Sequence, residues 1–532
     1  MLRHLLIVWL FFVGLGPVPA WAQLTHALRI ELPADADQTE AFDVAPLGEQ
    51  GVLVTIRTGG MPDNGPVRLR FQKFSPSLKS LWRTDLKLTD LFRPVATYQT
   101  DRYVYHLFRD AGTDTFRFVR LHLDDGVTEI FEGNLLDDFN VQQFRVMGSR
   151  AYVGGYRRGR PVVLAFSFFD RTTQVLPGLY VNNLELSSLD VDEARREVNV
   201  LVHATRRHCQ FTLRTYGYDG KPIRTLDFDG AANNLISGKL LPINADESLL
   251  VGNYSTDCTP YSQGIYVTHV RHGESGRQPA DAIHYVEFSQ LENFFNYLKP
   301  NRQQKLLAKA QRKKEEGKDY RFRYKLLVHD LVPTPDGPLL VAEVYYPQYR
   351  GSNMPYASYT RGPVRVLEGY RYTHAFVCGF DGEGNLRWDN CLPIRELTNP
   401  DLTEMVQVSQ QGDRMVLAYP NDGQITTAVI QRNRIVHETE TIRLQTTTEH
   451  ERVTFSAHEN VLAWYDRHFL ACGFQKIAPP RGTPGLQRER EVFYLNKLTY
   501  DPDAPRTGGS RTGWSRPKPA PATTRKNAGS ER

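Results

Sequence analysis

Residues Leu213–Phe228 read LRTYGYDGKPIRTLDF. Apolar and polar residues alternate up to Asp219-Gly220, and a second alternating run returns from Ile223. Period-two alternation broken by an Asp-Gly pair is the pattern of an antiparallel hairpin. The unit recurs along the chain: LRFQKFSPSLKSLWRTDL from Leu69, VRLHLDDGVTEIFEG from Val119 and LAFSFFDRTTQVLPG from Leu164. Weaker copies are IYVTHVRHGESG from Ile265, AFVCGFDGEGNLRW from Ala375, AVIQRNRIVHETETI from Ala428 and VFYLNKLTYD from Val492. A spacing of about 45–50 residues marks a repeat architecture.

A further pair of strand-like runs precedes each hairpin. Before the quoted stretch stand LELSSLDV (Leu184–Val191) and EVNVLVHAT (Glu197–Thr205). Each unit therefore holds four strands, A to D. The third unit reads FRVM, AYVGGY, VVLAFSFF and QVLPGLYV, and the seventh MVQVS, RMVLAY, TTAVIQR and IVHETETIRL. The last C strand, Val492–Tyr500, has no D strand after it, and ALRIEL (Ala27–Leu32) has no A to C strands before it. The reading is an all-β chain forming a β-propeller of seven or eight four-stranded blades, eight by count. The N-terminal strand completes the last blade, because closure removes exposed edges. The alternative places the same sheets in a sandwich or a solenoid.

The turns FDGEGNLRW (Phe380–Trp388) and YGYDGKPIRTLDF (Tyr216–Phe228) resemble quinoprotein-like and tryptophan-aspartate-like propeller repeats of exported bacterial proteins. The resemblance implies an architecture over residues 27–500 and no chemistry. Gly-His/Trp-Asp pairing is absent, as is a run of Trp-bearing repeats of the kind pyrroloquinoline-quinone enzymes use. A sialidase Asp-box is absent too, since Asp381 is followed two residues on by Glu383 rather than Gly.

Before this body, Arg3 and His4 precede the apolar run Leu5–Gly16, then Pro17, Pro19 and Ala20-Trp21-Ala22. A basic start, a short apolar stretch and an A-x-A site predict a Sec-type signal peptide, residues 1–22, cut before Gln23. The mature chain is then periplasmic or extracellular, with residues 23–500 as the propeller. No later run reaches the length of a membrane span. The segment 501–532 is Pro-, Gly- and Arg-rich with little to bury, which predicts disorder. A net charge of +5 on 532 residues does not call for nucleic acid.

The five cysteines leave at least one unpaired. Counting back from the turn DGEGN sets Cys378 opposite about Trp388 and Cys391 opposite about Ala375, too far apart to join. Cys209 and Cys258 occupy equivalent loops of consecutive units and are the better pair. Neither C-x-x-C nor His-rich spacing points to a metal, and no cofactor is expected.

Three stretches break the period: Ser289–Lys318, read as a helix capped by Ser289 and Gly317 with Pro300 re-starting it, and two loops, Pro347–Tyr372 and Ile477–Glu491. The first joins a D strand to an A strand, and the others join B to C. In a meander these links emerge on one face, so the insertions converge there. Function sits in elaborated loops on rigid scaffolds.

The loops of that face carry Tyr156, Arg157, Arg158 and Arg160, then Arg206, Arg207 and His208, then Tyr254, Asp257 and Tyr261. The sixth unit adds Tyr345, Tyr346, Tyr349, Arg350, Tyr356, Tyr359 and Arg361. Arg forks suit carboxylates, phosphates and sulfates, and Tyr rings stack on sugars or pack against partner side chains. The basic run of Lys299, Arg302, Lys305, Lys309, Arg312, Lys313 and Lys314 reads as a solvated helix resting on Leu306, Leu307 and Ala310. No H-E-x-x-H, G-x-S-x-G or P-loop pattern occurs. The expected function is a non-enzymatic binding or scaffold module for a protein or an anionic or glycan-like envelope ligand. A propeller hydrolase or lyase acting on glycans at the same face is the alternative.

Overall fold

Eight sheets follow one another along the chain, each a four-stranded antiparallel meander. Sheets one to seven span 42–87, 92–134, 139–175, 184–228, 234–287, 325–393 and 407–443. Sheet eight takes three strands from 452–500, and its fourth is the first strand of the chain, Leu24–Pro33, running antiparallel to Arg490–Tyr500. The repeated layout is that of a β-propeller. Gly276–Gln278 adds a parallel edge to sheet four, and Thr398–Asn399 pairs with Tyr370 and Arg371 of sheet six. The computed structural model describes residues 24–34, 42–58, 67–88, 92–110, 113–134, 136–205, 209–352, 364–395, 397–421, 423–480 and 489–501. The expected signal peptide, nearly all of the C-terminal tail, and Arg206, Arg207, His208, Tyr356, Tyr359 and Arg361 lie outside these residues.

Why the sheets stack follows from their middle strands. In sheet seven Met415, Leu417 and Tyr419 enter a core shared with sheet six, while Val416 and Ala418 enter one shared with sheet eight. Both faces are buried, so these strands read as near-continuous apolar runs. Outer strands alternate instead, as Ser80–Lys87 does. The same two-sided packing joins each sheet to the next. An eighth cluster joins Leu470, Phe474 and Phe493 of sheet eight to Val52, Val54 and Phe74 of sheet one. There Phe42 stacks on Phe493 at 4.3 Å, and the indole N–H of Trp464 donates to Gly51 O at 2.8 Å.

The turns that carry the repeat are locked locally. Asp125, Asp170, Asp219 and Asp381 each accept the backbone N–H two residues on through Oδ1, the Asx-turn that makes Asp-Gly a hairpin signal. Gly126 sits at φ +73°, and a Cβ there would meet the Trp82 ring at 2.7 Å.

Several expectations need correction. Ser289–Lys318 is not one helix: two 3₁₀ turns, Phe288–Gln290 and Phe294–Tyr297, precede the helix α1, Pro300–Glu315. The carboxylate of Asp389 takes the N–H groups of Glu292 and Asn293, both at 2.7 Å; in a helix capped at Ser289 the Asn293 N–H would bond the Ser289 carbonyl instead. Glu287, not Ser289, forms the capping box, with Gln290. At the other end Gly317 adopts φ +67° and closes α1, with Gly317 N–H donating to Lys314 O and Lys318 N–H to Lys313 O.

The stretch 347–372 is not a loop as far as it is described. Strands Leu339–Ser352 and Val364–Phe380 stay paired out to Ser352 and Val364 as a two-stranded ribbon. Likewise Ile477 pairs with Arg490, so the third insertion begins as strand. The D strand of sheet three shrinks to Thr173–Val175.

Cys378 lies opposite Asp389 and Cys391 opposite Phe376, one place from the counted register because a bulge intervenes at Gly379/Phe380. Both are buried thiols, as is Cys472. Cys209 and Cys258 form a disulfide between sheets four and five with Cα atoms 5.8 Å apart. It closes a loop with a sequence separation of 49. Replacing both with Ser is expected to cost about 2–4 kcal/mol. Urea denaturation of the double variant checks this, and an unchanged midpoint would show that packing alone holds the two loops.

Candidate functional site

The Arg and Tyr side chains singled out from the sequence fall into two groups. On sheet three, Arg157 pairs with Asp137, Arg158 reaches the same carboxylate at 3.4 Å, and Arg160 donates to Asn182 Oδ1 at 2.7 Å. The hydrogen bond from Arg157 holds the Asp137 carboxyl below the usual carboxylate range. These guanidinium groups already have acceptors, which weakens an anion-binding reading.

The second group lies on sheets five and six. Tyr254 is buried edge-on against Tyr285, ring centroids 4.9 Å apart. Tyr261 is exposed, with Lys325 Nζ 6.0 Å from its ring centre. Burial raises the Tyr346 hydroxyl to about 12, with Tyr297 and Tyr261 as neighbours adding to it. Arg350 pairs with Glu368 at 3.1 Å. Sheet four stands between the two groups in chain order, and among the described residues no side-chain hydrogen bond or ion pair joins them.

What it does assemble is the ribbon. Residues directly opposite share a face: Tyr345 with Tyr372, Pro347 with Tyr370, Tyr349 with Leu367. Glu368 is the extra residue of a bulge, and it keeps that face continuous. The face is thus aromatic and aliphatic over three successive pairs. At its base Tyr372 is 1% exposed and donates to Thr403 O at 2.6 Å, and the Tyr345 and Tyr370 rings meet edge to face at 5.7 Å. Further out exposure rises to 52% for Tyr349 and 43% for Leu367. The opposite face carries Tyr346, Gln348, Arg350 and Arg371. The signal was present in the sequence as alternate-residue spacing of Tyr345, Pro347 and Tyr349, and again of Tyr370 and Tyr372.

Beside the ribbon, α1 roofs a cleft of about 700 Å³ lined by Tyr254, Gln263, Glu287, Gln311 and Lys314. Gln263 fixes its far wall by donating to Phe322 O and accepting from Phe322 N–H, each at 2.9 Å. Leu306, Leu307 and Ala310 of α1 rest on the core shared by sheets five and six.

A third group was missed. The A strands of sheets two to six, and those of sheets seven and eight, lie side by side, and ionisable groups gather along this inner edge. Lys239 of sheet five meets Asp330, just after the A strand of sheet six, at 2.5 Å. Arg145 of sheet three lies 3.7 Å from Asp190 of sheet four, and its guanidinium is 5.7 Å from the Tyr98 ring of sheet two. Burial would raise the Asp330 carboxyl, but Lys239 and, from sheet three, Arg145 bring it below its ordinary value.

Next to it, Glu343 is fully buried, and its Oε1 accepts from His329 Nε2, Met405 N–H and Val406 N–H, each at 2.8 Å. Burial opposes the charge on His329, yet the bond to Glu343 and the Glu404 carboxylate lift its pKa above the ordinary value. Burial also raises Glu404, 3.9 Å from His329. The available signal was a single acid, Glu343, inside the apolar run LLVAEVYY. It stitches the chain entering sheet seven onto sheet six. No group of three or more His, Cys, Asp or Glu with metal-holding geometry occurs among the described residues.

No family model matches the chain, and no curated protein matches it. Among solved structures, the polysaccharide lyase Uly1 shares 9% identity over 76% of this chain and 90% of its own, with a TM-score of 0.39. Kluyveromyces lactis Hsv2 shares 11% over 76% of this chain and 97% of its own, TM-score 0.38. A functionally unknown protein from Desulfotomaculum acetoxidans shares 10% over 71% and 96%, TM-score 0.36. Likeness at this level carries no argument about activity.

Proposed function

We propose that the protein is an exported, non-enzymatic binding or scaffold module, an eight-bladed propeller closed by its N-terminal strand, that docks a protein partner through the ribbon of sheet six. The observation that carries this reading is the ribbon's continuous aromatic and aliphatic face, Tyr345, Pro347 and Tyr349 against Tyr372, Tyr370 and Leu367, which becomes exposed toward its end. Closure is supported by the core that sheet eight shares with sheet one. Export is supported by the disulfide, a bond of oxidising compartments. Binding is favoured over glycan hydrolysis because Asp330 faces Lys239, Asp190 lies 3.7 Å from Arg145, and Glu343 is fully buried with three donors on its Oε1.

The test compares the full-length protein with a Tyr349→Ser/Leu367→Ser variant, each tagged at its C-terminus and expressed in the native host. Both are captured from envelope extract and their partners quantified by mass spectrometry. We expect a protein enriched by the native chain and reduced at least roughly tenfold by the variant, the loss typical of an aromatic anchor. Identical partner sets would overturn the docking role. N-terminal sequencing of the same material checks processing: a mature chain starting at Gln23 is expected, and an unprocessed chain in the cytoplasm would overturn export.

A further inference from the structure

The face opposite the ribbon holds a second cleft, of about 530 Å³, between the turns of sheets six and seven. Its volume lies within the range of about 300–1,000 Å³ typical of small-molecule sites. Its most distinctive lining residue is Trp388, half-buried at the C–D hairpin of sheet six. The indole lies across bare backbone: a Cβ on Gly379, the residue opposite, would stand 2.3–2.7 Å from three atoms of the ring. No described residue accepts a hydrogen bond from the Trp388 N–H. A flat, rigidly backed ring with an open edge is a stacking platform.

Around it stand polar groups in fixed positions. Asp381 is nearly buried and accepts the N–H groups of Glu383 and Asn385, the Asn385 amide and Arg387 Nε, the last at 3.0 Å. That set holds the Asp381 carboxyl below its usual range, burial notwithstanding. It also clamps Arg387 through Nε alone, so the two terminal nitrogens of its exposed fork have no assigned acceptor. Across the cleft, Asp336 and Arg432 form an exposed pair at 3.5 Å. Arg414 lines the same wall, and among the described residues it is the one lining cation without a carboxylate partner.

We infer that this cleft binds a pyranose unit of a glycan, its ring stacked on Trp388 and its hydroxyl groups held by Arg387, Arg414 and Asp336. The donor and acceptor types match the chemistry: Arg forks donate to vicinal hydroxyls, a carboxylate accepts from them, and the indole covers the C–H face of the ring. Three Arg and three Asp line the cleft, so it carries no net charge that would demand an ionic ligand. The ribbon and this cleft lie on opposite faces, and a protein partner and a glycan can be held together without competition.

Saturation-transfer NMR and calorimetry on the full chain test the assignment, with glucose, N-acetylglucosamine and glucuronate as probes alongside their linear hexamers. At least one probe is expected to bind, and Trp388→Ala to weaken it roughly tenfold, the worth of one stacked ring. Arg414→Ala, an alteration at the protein surface that leaves the core intact, is expected to weaken the same probe. Stronger binding of a hexamer than of its monomer identifies a polysaccharide as the source, and equal binding a free sugar. Absence of binding by every probe overturns the inference, as does binding unaltered in both variants when their circular dichroism matches the native chain.

Discussion

Deleting Leu24–Pro33 is expected to abolish cooperative folding. The strand contributes nine register pairs with Val492–Tyr500, each worth about 0.2–1 kcal/mol as a cross-strand contact. It also brings charge. Arg29 lies over the Tyr494 ring at 4.8 Å and donates to Gln475 at 2.9 Å, while Glu31 accepts from Arg490, which pairs in turn with Glu451. Removing Glu31 and Arg29 leaves Gln475 without its donor and Arg490 with Glu451 alone. The sum is several kcal/mol against a total stability of about 5–15 kcal/mol. The deletion also turns Val492–Tyr500 into a bare edge, open to pairing with another chain. Thermal denaturation and size-exclusion chromatography of chains starting at residues 24 and 34 decide the matter. A shorter chain that stays monomeric with the same melting temperature would show that the remaining three strands of sheet eight suffice.

The second large effect is acid lability. His106 and His374 are buried, and each has an Nε2 with no hydrogen-bond partner. Burial lowers their pKa to about 4 and about 3 respectively, from 6.5. In the unfolded chain both take up a proton near 6.5, so the unfolded state binds more protons than the folded one below that pH. Stability is therefore unaffected above about pH 6.5 and falls as pH drops from there toward 4. By pH 4 each imidazole has cost roughly 3 kcal/mol. His329 acts in the opposite sense: its pKa is raised in the fold, so its contribution is present below 6.5 and lost as pH climbs through the folded value. Two deeply buried neutral rings outweigh one partnered cation, and the acid limb should dominate. Urea midpoints measured at pH 7 and pH 4.5 are expected to differ strongly. His374→Phe, which preserves the ring stacked on Tyr297 at 3.9 Å, should flatten that difference. An equal drop in the variant would assign acid lability to other groups.

How far such features can be read from the chain depends on the range of the forces behind them. The hairpins announce themselves because an Asp side chain bonds a backbone N–H two residues away, a contact decided within one turn. The orphan strand at each end was visible because its pattern had no partner nearby. The ribbon was mistaken for a loop because its polar face and its Gly and Pro content mask the alternate spacing of Tyr345, Pro347 and Tyr349. The helical insertion was over-extended because its aromatic spacing also fits 3₁₀ turns clamped by a distant carboxylate, Asp389. Arg157 and Arg158 looked free because Asp137 reaches them from the start of the same sheet, some 20 residues earlier in the chain.

The strands, their turns, their repeat and the pairing of the first strand with the last were legible from the chain alone. Those follow from backbone hydrogen bonds and from a two-residue periodicity, which act between neighbours. Which charges stay available and where side chains converge emerges from packing between sheets. Glu343 meets His329 and Met405, Lys239 meets Asp330, and Trp388 and Arg414 line one cleft although distant in the chain; burial and Coulomb interaction act through space rather than along the chain.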